Sequence, residues 1–491
     1  MKNTRRDSLI GTMKEGYHIG YVIPKVWVLF AMLALATGNA HAQQNLRPNI
    51  ILIVADDLGV GDLGSYGQKL IKTPHLDRLA KSGKRFTQFY SGTSVCAPSR
   101  ASLMTGLHTG HTAIRGNREI QPEGQWPLPA ASITIAEMLK RAGYTTGNFG
   151  KWGLGPVGSS GDPMNQGFDF FFGYNCQRQS HNYYPQHLWK QQQKILYTSN
   201  TVTSQKDYAP AIIQDEALSF ITEHKSKPFF LYLSYTLPHA ALQTPDDSLF
   251  NVYKQVFKEI PVPVKEWNGS GYQPQAYPKA AYATMVSRLD QYVGQVMEKL
   301  REEKIDQNTL VIFTSDNGPH KEGGNDPDFF NSNGAFRGYK RDLYEGGIRV
   351  PMIVSWPGKS RAGSVSRHVA AFWDFLPTFA EIVGDTVGLY TDGISFVPEL
   401  TQRRQQPHEF LYWEFHEDGG KQAVRMDQWK AVRLNVIENE YSPIALYDLR
   451  NDPGETKDLS RRFPNIVARM RSVMQHQHVE QEHFPFLKYQ P

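Results

Sequence analysis

Cysteine is scarce in this chain: 491 residues carry two, Cys96 and Cys176. Cys96 stands in the string TSVCAPSRASLMTG, with Pro98 and Arg100 close behind it. Pro98 suits the first turn of a helix, and SRASLMTG continues helically to Gly106. Cys96 then opens that helix, where unpaired N–H groups and the macrodipole favour an anion. A thiol held there is expected to have a lowered pKa and to be reactive. Arg100 lies about one turn further on, so its guanidinium reaches back towards the helix head. Counting alone leaves an inert Cys96–Cys176 disulfide as the alternative, because exported proteins form them.

Oxygen ligands follow two other apolar runs. Asp56 and Asp57 come directly after NIILIVA, and Asp316 and Asn317 directly after TLVIFTS. In open parallel sheets, ligands sit beyond the carboxyl ends of the strands. Three carboxylates and an amide, all oxygen, suit Ca²⁺, or with less force Mg²⁺, better than zinc. Either pair alone reads as a turn opening, which Asp and Asn favour. Both together, on matched strands, read as a cation site. The string GVGDLG (Gly59 to Gly64) has dinucleotide-loop spacing, but two aspartates precede it and would repel a pyrophosphate.

These groups need a frame. The runs NIILIVADDLG, YTTGNFG, KPFFLYLSYTLPH, NTLVIFTSDNG and VPMIVSWPG read as strands. TPHLDRLAKSG, SITIAEMLKRAG and AYATMVSRLDQYVGQVMEKLREE read as helices, the second with a Thr134–Glu137 capping pair. Strands alternating with helices predict an α/β/α sandwich around a mostly parallel sheet. After about residue 405 the pattern becomes hairpin-like, with a final helix in FPNIVARMRSVMQHQ, so a smaller α+β subdomain is expected over 405–491.

Residues 1–42 read as a secretory signal: Lys25, an apolar run from Val26 to Ala36, then Ala40-His41-Ala42. The expected catalytic domain is 43–404, in a periplasmic or secreted protein with no membrane segment after cleavage. Removing five basic and two acidic leader residues lowers the formal charge from +5 to +2. That balance gives no general reason to bind nucleic acid.

The string Cys96-Ala97-Pro98-Ser99-Arg100 matches the C-x-P-S-R motif of type I, formylglycine-dependent sulfatases. The resemblance runs over roughly residues 47 to 460. PNIILIVADDLGVGDLGSYG, GYTTGNFGKWGLG, FTSDNGPH and FRGYKRDLYEGGIRVP are similar to further family segments. It implies an alkaline-phosphatase-like fold and hydrolysis of sulfate monoesters, as in arylsulfatase-like bacterial carbohydrate sulfatases. It implies that a formylglycine-generating or sulfatase-maturating enzyme converts Cys96 in the unfolded chain. It also implies a calcium ion on Asp56, Asp57, Asp316, Asn317 and residue 96. Arg100 would hold the nucleophile, Lys151 and Lys340 would pair with sulfate, and His239 would stand near the leaving oxygen. A phosphonate monoester hydrolase or phosphodiesterase on the same scaffold is the alternative activity, and a binding protein with unmodified Cys96 the non-enzymatic one.

One departure stands out. Many family members carry His two residues after the first lysine; here the string is Gly150-Lys151-Trp152-Gly153. His181 and His320 are the candidates to fill that space, with His181 also a candidate substrate contact. Cys176 reads as a buried free thiol. Trp413, Glu414 and His416 are expected to line the sugar pocket.

Overall fold

The computed structural model describes Gly16 and residues 47–486 except 387 and 440. The expected leader over 1–42 lies outside the described residues, apart from Gly16. Eleven strands make the large sheet. They are β1 (Asn49–Ala55), β2 (Lys84–Tyr90), β3 (Thr145–Lys151), β4 (Phe170–Tyr174), β5 (His187–Lys190), β6 (Gln193–Leu196), β7 (Phe229–Ser234), β8 (Thr309–Ser315), β9 (Arg349–Ser355), β10 (Ser364–Ser366) and β11 (Ala370–Ala371). Their order is β10-β2-β9-β8-β1-β7-β3-β4-β5-β6, with β11 beside β2. The centre, β8-β1-β7-β3-β4, is parallel throughout. β9 runs antiparallel to both neighbours, and β5 and β6 close the far edge as a hairpin.

All seven residues of β1 are buried, as continuous apolar runs in a doubly covered parallel sheet must be. Ile51 and Ile53 face a core shared with the helices Pro74–Ser82, Ala209–His224 and Pro278–Glu302. Ile50, Leu52 and Val54 face the opposite core, with the helices Cys96–Thr105, Ile135–Arg141 and Phe375–Val383. Alternate side chains of one strand thus feed two cores, which is the expected three-layer sandwich. The Thr134 cap is present: Glu137 N donates to Thr134 Oγ1 at 3.1 Å, and Thr134 N to Glu137 Oε2 at 3.0 Å.

A second, antiparallel sheet holds β12 (Leu411–Phe415), β13 (Lys421–Met426), β14 (Trp429–Leu434) and β15 (Ile444–Asp448) in that order. One face packs Trp413, Phe415 and Val432 against Tyr90, Val95 and Trp373 of the main body. The other covers Tyr412, Val424 and Leu446 with Met470 and Met474 of the helix Pro464–His476. Among the described residues no helix is long and apolar enough to cross a membrane.

Candidate active site

Register decides what meets at the carboxyl ends of the strands. Ala55 of β1 pairs with Ser315 of β8, so Asp56 and Asp316 leave the sheet side by side. Asp57 takes a left-handed φ of 62° and its N–H donates to Asp316 Oδ1 at 3.1 Å. The bend turns its carboxylate back into the cluster, and aspartate tolerates that region better than most residues. β3 ends in Lys151, whose Nζ donates to Asp56 Oδ2 at 2.6 Å. His239 follows β7 by five residues, and its Nε2 lies 3.4 Å from Asp57 Oδ2 and 3.0 Å from Lys340 Nζ.

The helix Cys96–Thr105 is buried along its whole length and starts at the predicted cysteine. Its N-cap residue Val95 has no side chain that caps, and Asn117 supplies the acceptor instead: Ala97 N donates to Asn117 Oδ1 at 3.0 Å. Cys96 Sγ lies 3.0 Å from Asp56 Oδ1 and 4.0 Å from Asp57 Oδ1. Both cysteines are free and buried, so the disulfide alternative falls and the Cys176 reading holds. The lowered thiol pKa does not hold. Burial, then the Asp56 carboxylate, push the Cys96 thiol well up. Helix-end N–H groups are outweighed because carboxylates face the sulfur and Ala97 N is already used.

Arg100 does reach back. Its Nε and Nη2 each lie 2.9 Å from Asp316 Oδ2, and Nη1 donates to the Lys151 carbonyl at 2.9 Å. It therefore ties the Cys96 helix to the ends of β8 and β3. Lys340 Nζ touches Asp57 Oδ2 at 2.9 Å, Glu322 Oε2 at 2.9 Å and His239 Nε2 at 3.0 Å. His239 Nδ1 faces the Ala240 carbonyl, which fixes the proton on Nδ1 and leaves Nε2 bare towards Lys340. The His181 ring stacks on His239 with centroids 4.9 Å apart and planes 8° from parallel.

Charge balance explains the titration pattern. Burial alone would raise Asp56, but Lys151, His239, Arg100 and Lys340 hold it well below the usual range. Burial and the Asp56 charge push Asp316 up to about 7. Asp316 therefore keeps its proton in part near neutral pH, beside an ionised Asp56. Burial would lower Lys151 and Lys340, yet Asp56 and Asp57 respectively keep both raised. Burial and Lys340 depress His239, and burial and His239 bring His181 down to about 2.

A cation fits this cluster. Asp56, Asp57, Asp316 and Asn317 are fully buried, and Asn317 Oδ1 has no hydrogen-bond partner among the described residues. The donors are hard oxygens, which suit Ca²⁺ or Mg²⁺. Asp56, Asp57, Cys96 and His239 also offer ligand atoms all within 4.8 Å of one another.

Two residues near the centre carried no motif. Glu322, six positions past Asp316, accepts from Lys340 Nζ, from Arg341 Nη1 at 2.5 Å and from Tyr272 OH at 2.9 Å. Only its place in the FTSDNGPHKEGG loop signalled it. Tyr272 comes from a loop with no sequence signal. His320 is buried, with Nε2 3.2 Å from the Pro238 carbonyl and Nδ1 accepting from Glu322 N, so it braces this loop. Neither His181 nor His320 fills the space at Gly153: the three atoms nearest a side chain there all belong to Gln177.

Trp413, Glu414 and His416 do not line a pocket, contrary to expectation. Trp413 is fully buried between Tyr90 and Trp373, with Nε1 donating to the Ser91 carbonyl. Glu414 is buried among Arg115, Tyr412, His416 and His478. These side chains join the small sheet to the main body. One open cavity, of about 520 Å³, is lined by Arg178, His181, Tyr184, His187 and Trp267. His181 is common to it and to the His239 stack.

Over most of its length the chain is similar to known sulfatases. Residues 48–385 match the family model described as Sulfatase, and 334–481 that described as N-sulphoglucosamine sulphohydrolase, C-terminal. The chain is 32% identical over 479 residues to an arylsulfatase of Hemicentrotus pulcherrimus, covering 87% of this chain and 80% of that protein. It is 32% identical over 505 residues to N-acetylgalactosamine-6-sulfatase of Rattus norvegicus, covering 91% and 88%. The crystal structure of Ps i-CgsB superposes with a TM-score of 0.75 at 30% identity, covering 90% of this chain and 95% of that one. Ps i-CgsB has also been crystallised with k-i-k-neocarrahexaose.

Proposed function

Because this chain belongs to the sulfatase family and is a sulfuric ester hydrolase, we propose that it removes O-sulfate groups from a polysaccharide or glycosaminoglycan sugar, using a formylglycine made from Cys96 and a bound calcium ion. The observation that carries the reading is the position of Cys96 Sγ, 3.0 Å from Asp56 and at the head of a helix that Arg100 ties to Asp316. The named substrates and ligands of the relatives support a sugar sulfate: N-acetylgalactosamine-6-sulfatase by its activity, and Ps i-CgsB by its bound neocarrahexaose.

Asp56, Asp57, Asp316 and Asn317 would hold the cation, which supplies positive charge against the nucleophile and a sulfate oxygen. Residue 96, once matured, would supply a hydrated aldehyde as the oxygen nucleophile toward sulfur. Arg100 fixes that group at the helix head. Lys151, on Asp56, and Lys340, on Asp57, neutralise the sulfate. His239 attends the leaving oxygen, and the protonated Lys340 that touches its bare Nε2 supplies the proton, directly or through that ring nitrogen. His181, stacked behind His239 and facing the 520 Å³ cavity, contacts the sugar. The catalytic part is taken as 43–404 and the smaller part as 405–491, in a protein exported to the periplasm or beyond. A maturating enzyme that acts on the unfolded C-x-P-S-R segment is the required partner.

A panel of defined sulfated mono- and disaccharides, with a phosphonate monoester and a phosphodiester alongside, tests the proposal. Sulfate release from at least one sugar sulfate, exceeding turnover of both phosphorus substrates, is the expected result. Faster turnover of a phosphorus substrate would overturn it.

A further inference from the structure

Gly153 sits just past the end of β3 with φ +78°, a conformation L side chains rarely adopt. A Cβ placed there would lie 2.6 Å from Gln177 Nε2 and 3.1 Å from its amide carbon. A glycine at 153 is thus the condition for Gln177 to occupy that space. The strand pairing carries on past the sheet: Trp152 N donates to the Tyr174 carbonyl at 2.9 Å and Gly153 N to the Asn175 carbonyl at 3.0 Å. The segment 175–180 is therefore held against residues 152–153, at the carboxyl end of the strand that delivers Lys151.

Gln177 is firmly anchored on its backbone. Its N–H donates to Gln125 Oε1 at 2.6 Å, and its carbonyl accepts from Ser180 Oγ at 2.6 Å. Its side chain is not: Gln177 is 5% exposed, and Nε2 has no hydrogen-bond partner among the described residues. Gln125 Nε2 and Asn175 Nδ2, each on a residue 1% exposed, lack one as well. A buried amide donor without an acceptor is costly, so such a donor in a native protein calls for a partner, and a bound ligand can be that partner. Two residues away, Lys151 faces Asp56, and its carbonyl holds Arg100. A sulfate ester brought to that place presents acceptor oxygens only.

We propose that Gln177 is a substrate-binding residue, whose Nε2–H donates to an oxygen of the reacting sulfate from the space that Gly153 leaves open. It is a neutral donor. It adds direction to the sulfate without adding charge or a proton to a centre already rich in both. This rests on the sulfatase reading of the same site.

Inorganic sulfate, the product, is the probe, measured by calorimetry and as an inhibitor of aryl sulfate hydrolysis. Gln177→Ala is expected to weaken sulfate binding about tenfold and to lower kcat/KM about 10²-fold, the usual scale for one lost oxyanion donor. Gln177→Glu keeps the size but sets an anion against the sulfate, so it is expected to bind sulfate more weakly than Gln177→Ala. Gly153→Ala is expected to weaken sulfate binding by displacing the amide. Both Gln177 variants are expected to keep the parent's melting transition, whereas Gly153→Ala, strained at φ +78°, is expected to lower it. Sulfate affinity within twofold of the parent in both Gln177 variants overturns the proposal, and so do losses that only track a lowered melting temperature. A parent enzyme that releases no sulfate from any ester contradicts this proposal and the reading beneath it. A parent that does, with unchanged Gln177 variants, contradicts this proposal alone.

Discussion

Glu414→Gln offers a clean perturbation of the joint between the two sheets. Glu414 lies on β12, fully buried, with Tyr412 OH and His478 Nδ1 each at 2.6 Å, His416 Nε2 at 2.8 Å and Arg115 Nη1 at 3.4 Å. Burial alone would raise its pKa, but His416 and His478 bring it from 4.5 down to about 2. A fall from 4.5 to about 2 corresponds to about 3 kcal/mol of stabilisation once Glu414 is ionised and His478 still carries its proton. Glutamine keeps the shape, removes the charge and leaves the buried Arg115 without its counter-ion. The sign follows from the direction of each shift. A depressed carboxylate contributes stability above its unfolded value near 4.5 and loses it as pH falls towards 2. His478 is raised, with burial opposing and Glu414 prevailing, so its share is complete below 6.5 and is lost as pH rises through its folded value. The parent should therefore exceed the variant by about 3 kcal/mol between roughly pH 5 and 6, and by less on either side. Urea unfolding of both proteins at about pH 3.5, 5.5 and 8.5 measures the difference. A difference that does not change with pH, or a variant as stable as its parent, would refute the reasoning.

Two further outcomes concern the reaction centre. His239→Ala should slow hydrolysis of a sugar sulfate by about 10²-fold or more, and that of a nitrophenyl sulfate far less, because a good leaving group needs no proton; equal losses on both substrates would count against a role at the leaving oxygen. Chelation should abolish activity and lower the melting temperature, with calcium restoring both. Saturation about 100-fold above Kd corresponds to about 3 kcal/mol, so a chelated protein that keeps its activity would remove the cation from the account.

Much of the frame was legible because burial on both faces forces continuous apolar strands. NIILIVA and TLVIFTS announced β1 and β8, and the turn residues behind them announced the carboxylate cluster. Pro98 and Gly106 bracketed the helix that Cys96 opens, and Thr134 with Glu137 announced a cap that is present. What failed needed distances that sequence does not hold. The thiol expectation considered the helix end alone, whereas carboxylates from two other strands set the potential at the sulfur. Trp413, Glu414 and His416 looked like a sugar-facing surface because aromatic and charged types suit one; both faces of β12 are instead covered, which buries Trp413 and Glu414, and His416 just past its end pairs with Glu414. Glu322 and Tyr272 reach Lys340 from loops, where no periodicity marks a side chain's destination. The partner of Gly153 lay in a segment 24 positions downstream, brought near by the β3–β4 pairing.

The central claim is that residue 96 acts as formylglycine and not as cysteine. Tandem mass spectrometry of the peptide spanning residues 86–100, from active protein made with its maturating enzyme, addresses it directly. The account predicts a peptide lighter by about 18 Da at position 96, the exchange of a sulfur and two hydrogens for one oxygen. Active protein whose position 96 is wholly unmodified cysteine would contradict it.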